Sequence, residues 1–174
     1  LTIDFSLRAV GRLARFLPVA FASPDDAEAR RECLLGSLEA GIAFTNSSVA
    51  LVHGMARPLG AKFGIPHGVS NAVLLEAIMR FSLPGAPERY ARLAEAMGAV
   101  PAGTPLETAR AGLGIVSRLV RELHIPRLRD LLSRDALDAQ LDAMVREAVA
   151  SGSPANNPRP ASPEEIASLY GEAF

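Results

Sequence analysis

Two of the three histidines, His53 and His67, lie in the segment 41–75, GIAFTNSSVALVHGMARPLGAKFGIPHGVSNAVLL. Neutral imidazole is the commonest protein ligand for transition metals. On one unbroken helix the two rings would stand ~21 Å apart at 1.5 Å per residue. Two nitrogens on a shared ion must each lie at ~2.0–2.1 Å from it. A shared ion therefore requires the chain to reverse between them. Pro58, Gly60, Gly64 and Pro66 supply the means: Pro58 weakens the first helix, the glycines permit unusual dihedrals, and Pro66 stops helix just before His67. His67 then opens the next helix, Gly68 through about Arg80. A helix start favours neutral imidazole, although its dipole mildly opposes a nearby cation. A first-row metal wants three or four ligands. No Asp or Glu lies within 41–75, and Val49, Phe63 and Val120 stand four residues before the histidines. Further ligands must come from a distant carboxylate or from polypeptide outside this chain; the alternative is that both histidines are structural or surface groups.

The elements that must position these rings are helical. Leu106, Ala109, Leu113, Val116, Val120 and Leu123 step by three or four along one face, as do Leu137, Leu141, Met144, Val145 and Ala148. Helix starts are expected at Ser23-Pro24-Asp25-Asp26, with Ser23 as cap, at Thr104-Pro105-Leu106-Glu107 and at Ser162-Pro163-Glu164-Glu165. The first should run through Leu34, Leu35, Leu38 and Ile42. Breaks are expected at Leu17-Pro18, at Leu83 to Pro87, at Gly98 to Gly103, at Ile125-Pro126 and across the Ser/Asn/Pro loop Ser151 to Pro160. Strand signals are scarce, so the fold class is all-α, a bundle of seven to nine helices.

The 174 residues are 49% hydrophobic and 21% charged, with net charge -1. That length suits one domain able to bury ~70% of its unfolded surface. The near-zero charge gives no electrostatic footprint for nucleic acid or an anionic membrane. No apolar run reaches the ~18 residues of a membrane span. The single cysteine, Cys33, excludes an internal disulfide framework. The expected location is cytoplasmic, and the start at Leu1 rather than Met suggests a processed or truncated piece.

Residue by residue, the segment resembles the metal-site signature of the iron-containing (group III) alcohol dehydrogenases. The family pattern is G-x-x-F-x-N, then H-x-M-x-H-x-L-G, then P-H-G-x-x-N-A. Here it reads Gly41, Phe44 and Asn46, then His53 to Gly60, then Pro66-His67-Gly68 to Asn71-Ala72. Arg89-Tyr90-Ala91 through Gly98, Ile125-Pro126 with Leu128, and Asn157-Pro158-Arg159-Pro160 continue the likeness over nearly the whole chain. The resemblance implies the C-terminal helical domain of a two-domain, dehydroquinate-synthase-like oxidoreductase. That enzyme passes hydride between a small-molecule alcohol or aldehyde and NAD or NADP. The implied metal is Fe2+, with Zn2+ possible, held by an Asp and a His on a D-x-x-x-H turn and by two later histidines. His53 and His67 match the later pair. The D-x-x-x-H pair and the glycine-rich nucleotide loop are absent from the chain, so residues 1–174 are expected to form the metal-binding domain without its α/β partner. The resemblance also implies a homo-oligomer, with no nucleic acid or membrane partner. The alternatives are a non-catalytic helical scaffold or dimerisation fragment, and a zinc-dependent enzyme like glycerol dehydrogenase.

The second histidine of H-x-x-x-H is Arg57 here, four residues after His53 and on the same helix face. Arginine cannot relay a proton. It can hold an anionic substrate group or cofactor phosphates, or else pair with a carboxylate at the cleft rim. Phe44 matches a family position near the substrate pocket, or is plain core. Asn71 bonds near the metal or satisfies a helix terminus. His124 reads as a partner of a helix C-terminus, Cys33 as core, and Glu28, Arg30, Arg31 and Glu32 as a solvated face.

Overall fold

The computed structural model describes residues 2–174. Among them are nine α-helices and no strand: α1 Thr2–Ala22, α2 Ala27–Thr45, α3 Leu51–Phe63, α4 His67–Ser82, α5 Pro87–Ala96, α6 Pro105–Glu122, α7 Leu128–Leu131, α8 Arg134–Ala150 and α9 Pro163–Ala173. Leu83–Gly85 and Ser153–Asn156 are single 3-10 turns. The all-α expectation holds. No helix among the described residues is long and apolar enough to cross a membrane.

Two compact units divide the chain, and each interrupts the other. The first comprises the chain up to Ser48 together with Ala86–His124. Here α1 and α2 lie together, as do α5 and α6. Close approach is set by glycine: a Cβ on Gly112 would stand 2.5 Å from the Ala94 Cβ. Arg12 on α1 bridges Glu32 and Glu39 of α2, and Arg8 meets Glu39 at 3.1 Å. Glu32 is therefore ion-paired rather than part of a solvated face.

Three further sequence expectations need correction in this unit. α1 does not break at Leu17-Pro18 but runs on to Ala22, because proline removes only one helical donor and the flanking turns remain bonded. The cap of α2 is Asp26, not Ser23: its carboxylate accepts from the Ala29 N–H at 2.9 Å. Cys33 is half-buried rather than core, and burial first, then Glu32, raises its thiol pKa. The helix α2 does run through Leu34, Leu35, Leu38 and Ile42, with Leu34 and Leu38 71% and 60% exposed.

The second unit holds the larger apolar core. Leu51, Met55 and Leu59 of α3 meet Leu74 and Ile78 of α4, Leu137 and Met144 of α8, and Ile166, Leu169 and Tyr170 of α9. Each fully buried Leu or Met there contributes roughly 1.5–3 kcal/mol. The face predicted for α8 is the one that is buried, through Leu137, Met144, Val145 and Ala148. At α9, Ser162 and Glu165 form a reciprocal capping box. At α6 the box is half made: Thr104 accepts from the Glu107 N–H, but the Glu107 carboxylate takes the Thr104 hydroxyl instead of a backbone N–H.

Candidate metal centre

His53 lies on the first turn of α3, and His67 is the first residue of α4. Three residues, Gly64 to Pro66, join these helices. Gly64 ends α3 in the left-handed region, φ 67°, and its N–H bonds the Gly60 carbonyl at 3.0 Å. Pro66 follows with φ -54° and ψ 140° and starts α4. Pro58 does not end α3. It sits buried inside the helix, which continues to Phe63. Gly60 is helical; a Cβ there would stand 3.3 Å from the Ile65 carbonyl oxygen, so this glycine admits the returning chain.

The reversal brings the two imidazoles together, with centroids 5.4 Å apart and planes 54° to one another. His53 is half-buried and His67 is exposed. Burial holds the His53 ring below its ordinary pKa, and the neighbouring His67 and Arg57 push it the same way. All three causes keep His53 neutral, the state with a lone pair to give. Asn71, one turn after His67, donates to the His67 carbonyl at 2.8 Å. Its amide nitrogen lies 3.4 Å and 3.2 Å from the two ring nitrogens. Near-equal distances place the amide over the ring face rather than on either lone pair. The Asn71 Oδ1 is buried and has no partner among the described residues.

Arg57 is exposed on α3. Among the described residues no carboxylate forms a salt bridge with it. No third His, Cys, Asp or Glu joins the two rings among the described residues. Phe44 belongs to the other unit, near the end of α2, and is 56% exposed; it is not core. His124 closes α6 with φ 52°, and its ring lies 5.7 Å from that of Phe21, an aromatic contact that the helix-end reading did not include.

Sequence reasoning missed the groups behind α3. Tyr170 is fully buried and donates to the Met55 carbonyl at 2.6 Å; Asn156 donates to the Val49 carbonyl at 2.9 Å. A tyrosine on the apolar stripe of α9, beside Ile166 and Leu169, was the available signal, since a buried phenol must find a partner.

The model of the Fe-containing alcohol dehydrogenase family, C-terminal, matches residues 1–174. The chain belongs to this family. It is 36% identical over 171 residues to the 1,3-propanediol dehydrogenase of Klebsiella pneumoniae, covering 97% of this chain and 43% of that protein. It is 38% identical to the lactaldehyde reductase of Escherichia coli K12, covering 100% and 45%. A crystal structure of 1,3-propanediol oxidoreductase superposes with TM-score 0.94 at 35% identity, over 99% of this chain and 45% of that one. The chain thus spans less than half the length of the relatives it matches.

Proposed function

We propose that this chain is the metal-binding half of an NAD(P)-dependent alcohol dehydrogenase, with His53 and His67 as two of the metal ligands. The observation that carries the reading is the closeness of the two rings, 5.4 Å between centroids, across a sequence separation that one helix would stretch to ~21 Å. Two bonds of ~2.1 Å from imidazoles to one tetrahedral ion put ring centroids roughly 5 Å apart, so the pair fits such an ion. The neutral state favoured at His53 and the spare Asn71 acceptor beside His67 are consistent with it.

Two donors do not complete a site. The other ligands and the nucleotide-binding region belong to polypeptide outside these residues. Iron is the metal of the family and zinc the alternative. When bound, the ion supplies Lewis acidity to an alcohol or carbonyl oxygen. The chain's own residues do the rest. His53 and His67 fix the position of that charge, and Asn71 holds the start of α4 through the His67 carbonyl. Arg57, with no carboxylate partner among the described residues and one turn from His53, meets an anionic group: a substrate carboxylate or cofactor phosphate. An alcohol or aldehyde substrate, NAD or NADP as cofactor, and assembly as a homo-oligomer follow the family reading. Phe44 is kept as a substrate-pocket residue on the same ground.

Titration of the chain with Zn2+ or Co2+ tests the proposal. Binding lost in both His53→Ala and His67→Ala is the expected result. Undiminished binding in either variant overturns it. A non-catalytic scaffold that kept the motif by descent is the rival, favoured for the chain alone by its two-donor count. A complete reading frame carrying a D-x-x-x-H pair and a glycine-rich α/β region just upstream excludes that rival.

A further inference from the structure

Three contacts grip α3 around His53, and all come from the last quarter of the chain. Before the helix, Asn156 donates to the Val49 carbonyl at 2.9 Å. The N-cap of α3 is Ala50, which offers no side-chain cap, so Asn156 anchors an otherwise plain helix start. Beside His53, Gly54 lies against the 3-10 turn: a Cβ there would stand 3.2 Å from the Pro154 Cδ and 3.2 Å from the Ser151 Oγ. Just after it, the Tyr170 hydroxyl donates to the Met55 carbonyl at 2.6 Å, 115 residues away in sequence.

The place of the last contact matters. Pro58 carries no N–H, so helix α3 offers no i+4 donor to the Gly54 carbonyl. The ladder is weakest at that turn, and Tyr170 bonds the next carbonyl along. Burial alone does not require this contact, because phenylalanine would fill the same space. The hydroxyl adds direction: it fixes the depth and rotation of the turn that carries His53.

We propose that Tyr170, assisted by Asn156, is a positioning residue that holds His53 in register with His67. Its meaning for a metal rests on the reading above; its meaning for the two rings does not. The groups involved lie outside the resemblance-derived ligand set and act on backbone carbonyls rather than on either imidazole.

The test compares Tyr170→Phe with Ile166→Val, a buried change on the same helix that leaves the Met55 carbonyl bonded. The metal-free readout is the nuclear Overhauser contact between the His53 and His67 ring protons. The second readout is Co2+ affinity. Tyr170→Phe is expected to weaken the ring contact and to lower Co2+ affinity about tenfold, the lower end of the effect of groups that orient ligands. Ile166→Val is expected to lower the melting temperature and leave both readouts as they are. A Tyr170→Phe protein that melts earlier yet keeps the wild-type ring contact and Co2+ affinity overturns the proposal. If that variant does not fold, Asn156→Ala, at an exposed side chain, decides: it must weaken the ring contact, and an unchanged contact refutes the positioning role. A wild-type chain that shows the ring contact but takes up no Co2+ counts against metal binding by the two histidines without further ligands, and leaves the positioning role standing.

Discussion

Gly54→Ala adds one methyl group beside His53, and two opposed effects set its sign. Alanine in a helix interior gains up to ~1 kcal/mol over glycine. Against this, the new Cβ would stand 3.2 Å from both the Pro154 Cδ and the Ser151 Oγ and 3.4 Å from the Pro154 Cγ. Neither neighbour yields freely. Pro154 is a buried ring in a 3-10 turn, and the Ser151 hydroxyl is held by the Ala148 carbonyl at 2.6 Å while accepting from the Ser153 N–H at 3.2 Å. Overpacking of this kind costs about 1–3 kcal/mol. The net expectation is a loss of about 1 kcal/mol, which lowers the melting temperature by ~2–4 °C for a chain of this length. Gly114→Ala is the control. Gly114 lies mid-helix in α6 with nothing within 4 Å of its would-be Cβ, so only the propensity gain acts and the melting temperature should rise. Calorimetry on both variants under one condition measures the pair. If Gly54→Ala melts higher, as Gly114→Ala should, the turn does not press on α3 and the packing argument fails.

Gly85→Ala should be the more severe change. Its Cβ would meet the Pro158 carbonyl carbon and oxygen at 2.6 Å, and backbone cannot swing aside, so a loss above ~2 kcal/mol is expected in denaturant titration. Asp26→Ala should cost about 1 kcal/mol as a lost helix cap, whereas Ser23→Ala should cost nothing measurable; the reverse order would restore the cap expected from sequence. For pH, the folded His53 pKa lies below the unfolded value of ~6.5. Above that value His53 contributes no pH dependence. As pH falls below it, the unfolded chain takes up a proton that the folded chain refuses, so stability falls. The slope is at most about 1.4 kcal/mol per pH unit, reduced by solvent screening at this half-buried ring. It levels off once the folded ring titrates, and His53→Gln should remove this contribution, as read by denaturation at pH 7.5 and 5.5. By the proposed function, Arg57→His in a complete enzyme should cost more catalytic efficiency on carboxylate-bearing aldehydes than on neutral ones of equal length; equal losses would refute an anion-recognising Arg57.

What was legible in the sequence was local. The histidine spacing and the Gly64 and Pro66 signals implied the α3–α4 reversal, because turn chemistry is written in the turn residues themselves. The capping serine at α9 and the apolar stripe of α8 were readable for the same reason. Pro18 misled, since proline removes one bond but does not end a helix whose neighbouring turns stay satisfied. Tyr170 and Asn156 were hidden because their partners are backbone carbonyls more than a hundred residues away, and a carbonyl has no residue-specific signature. Gly54, between His53 and Met55, looked like any helix glycine until its neighbours were known.

The order of synthesis adds a consequence to the grip on α3. His53 leaves the ribosome long before Asn156 and Tyr170, by 103 and 117 positions respectively. At ~5–20 residues per second that is a delay on the order of ten seconds. If Tyr170 positions His53 as proposed, the nascent imidazole pair has no brace during this interval, and the register of the two rings is set only after translation of the segment bearing Tyr170. On that proposal, clipping α9 would loosen the His53–His67 pair far upstream without touching either histidine.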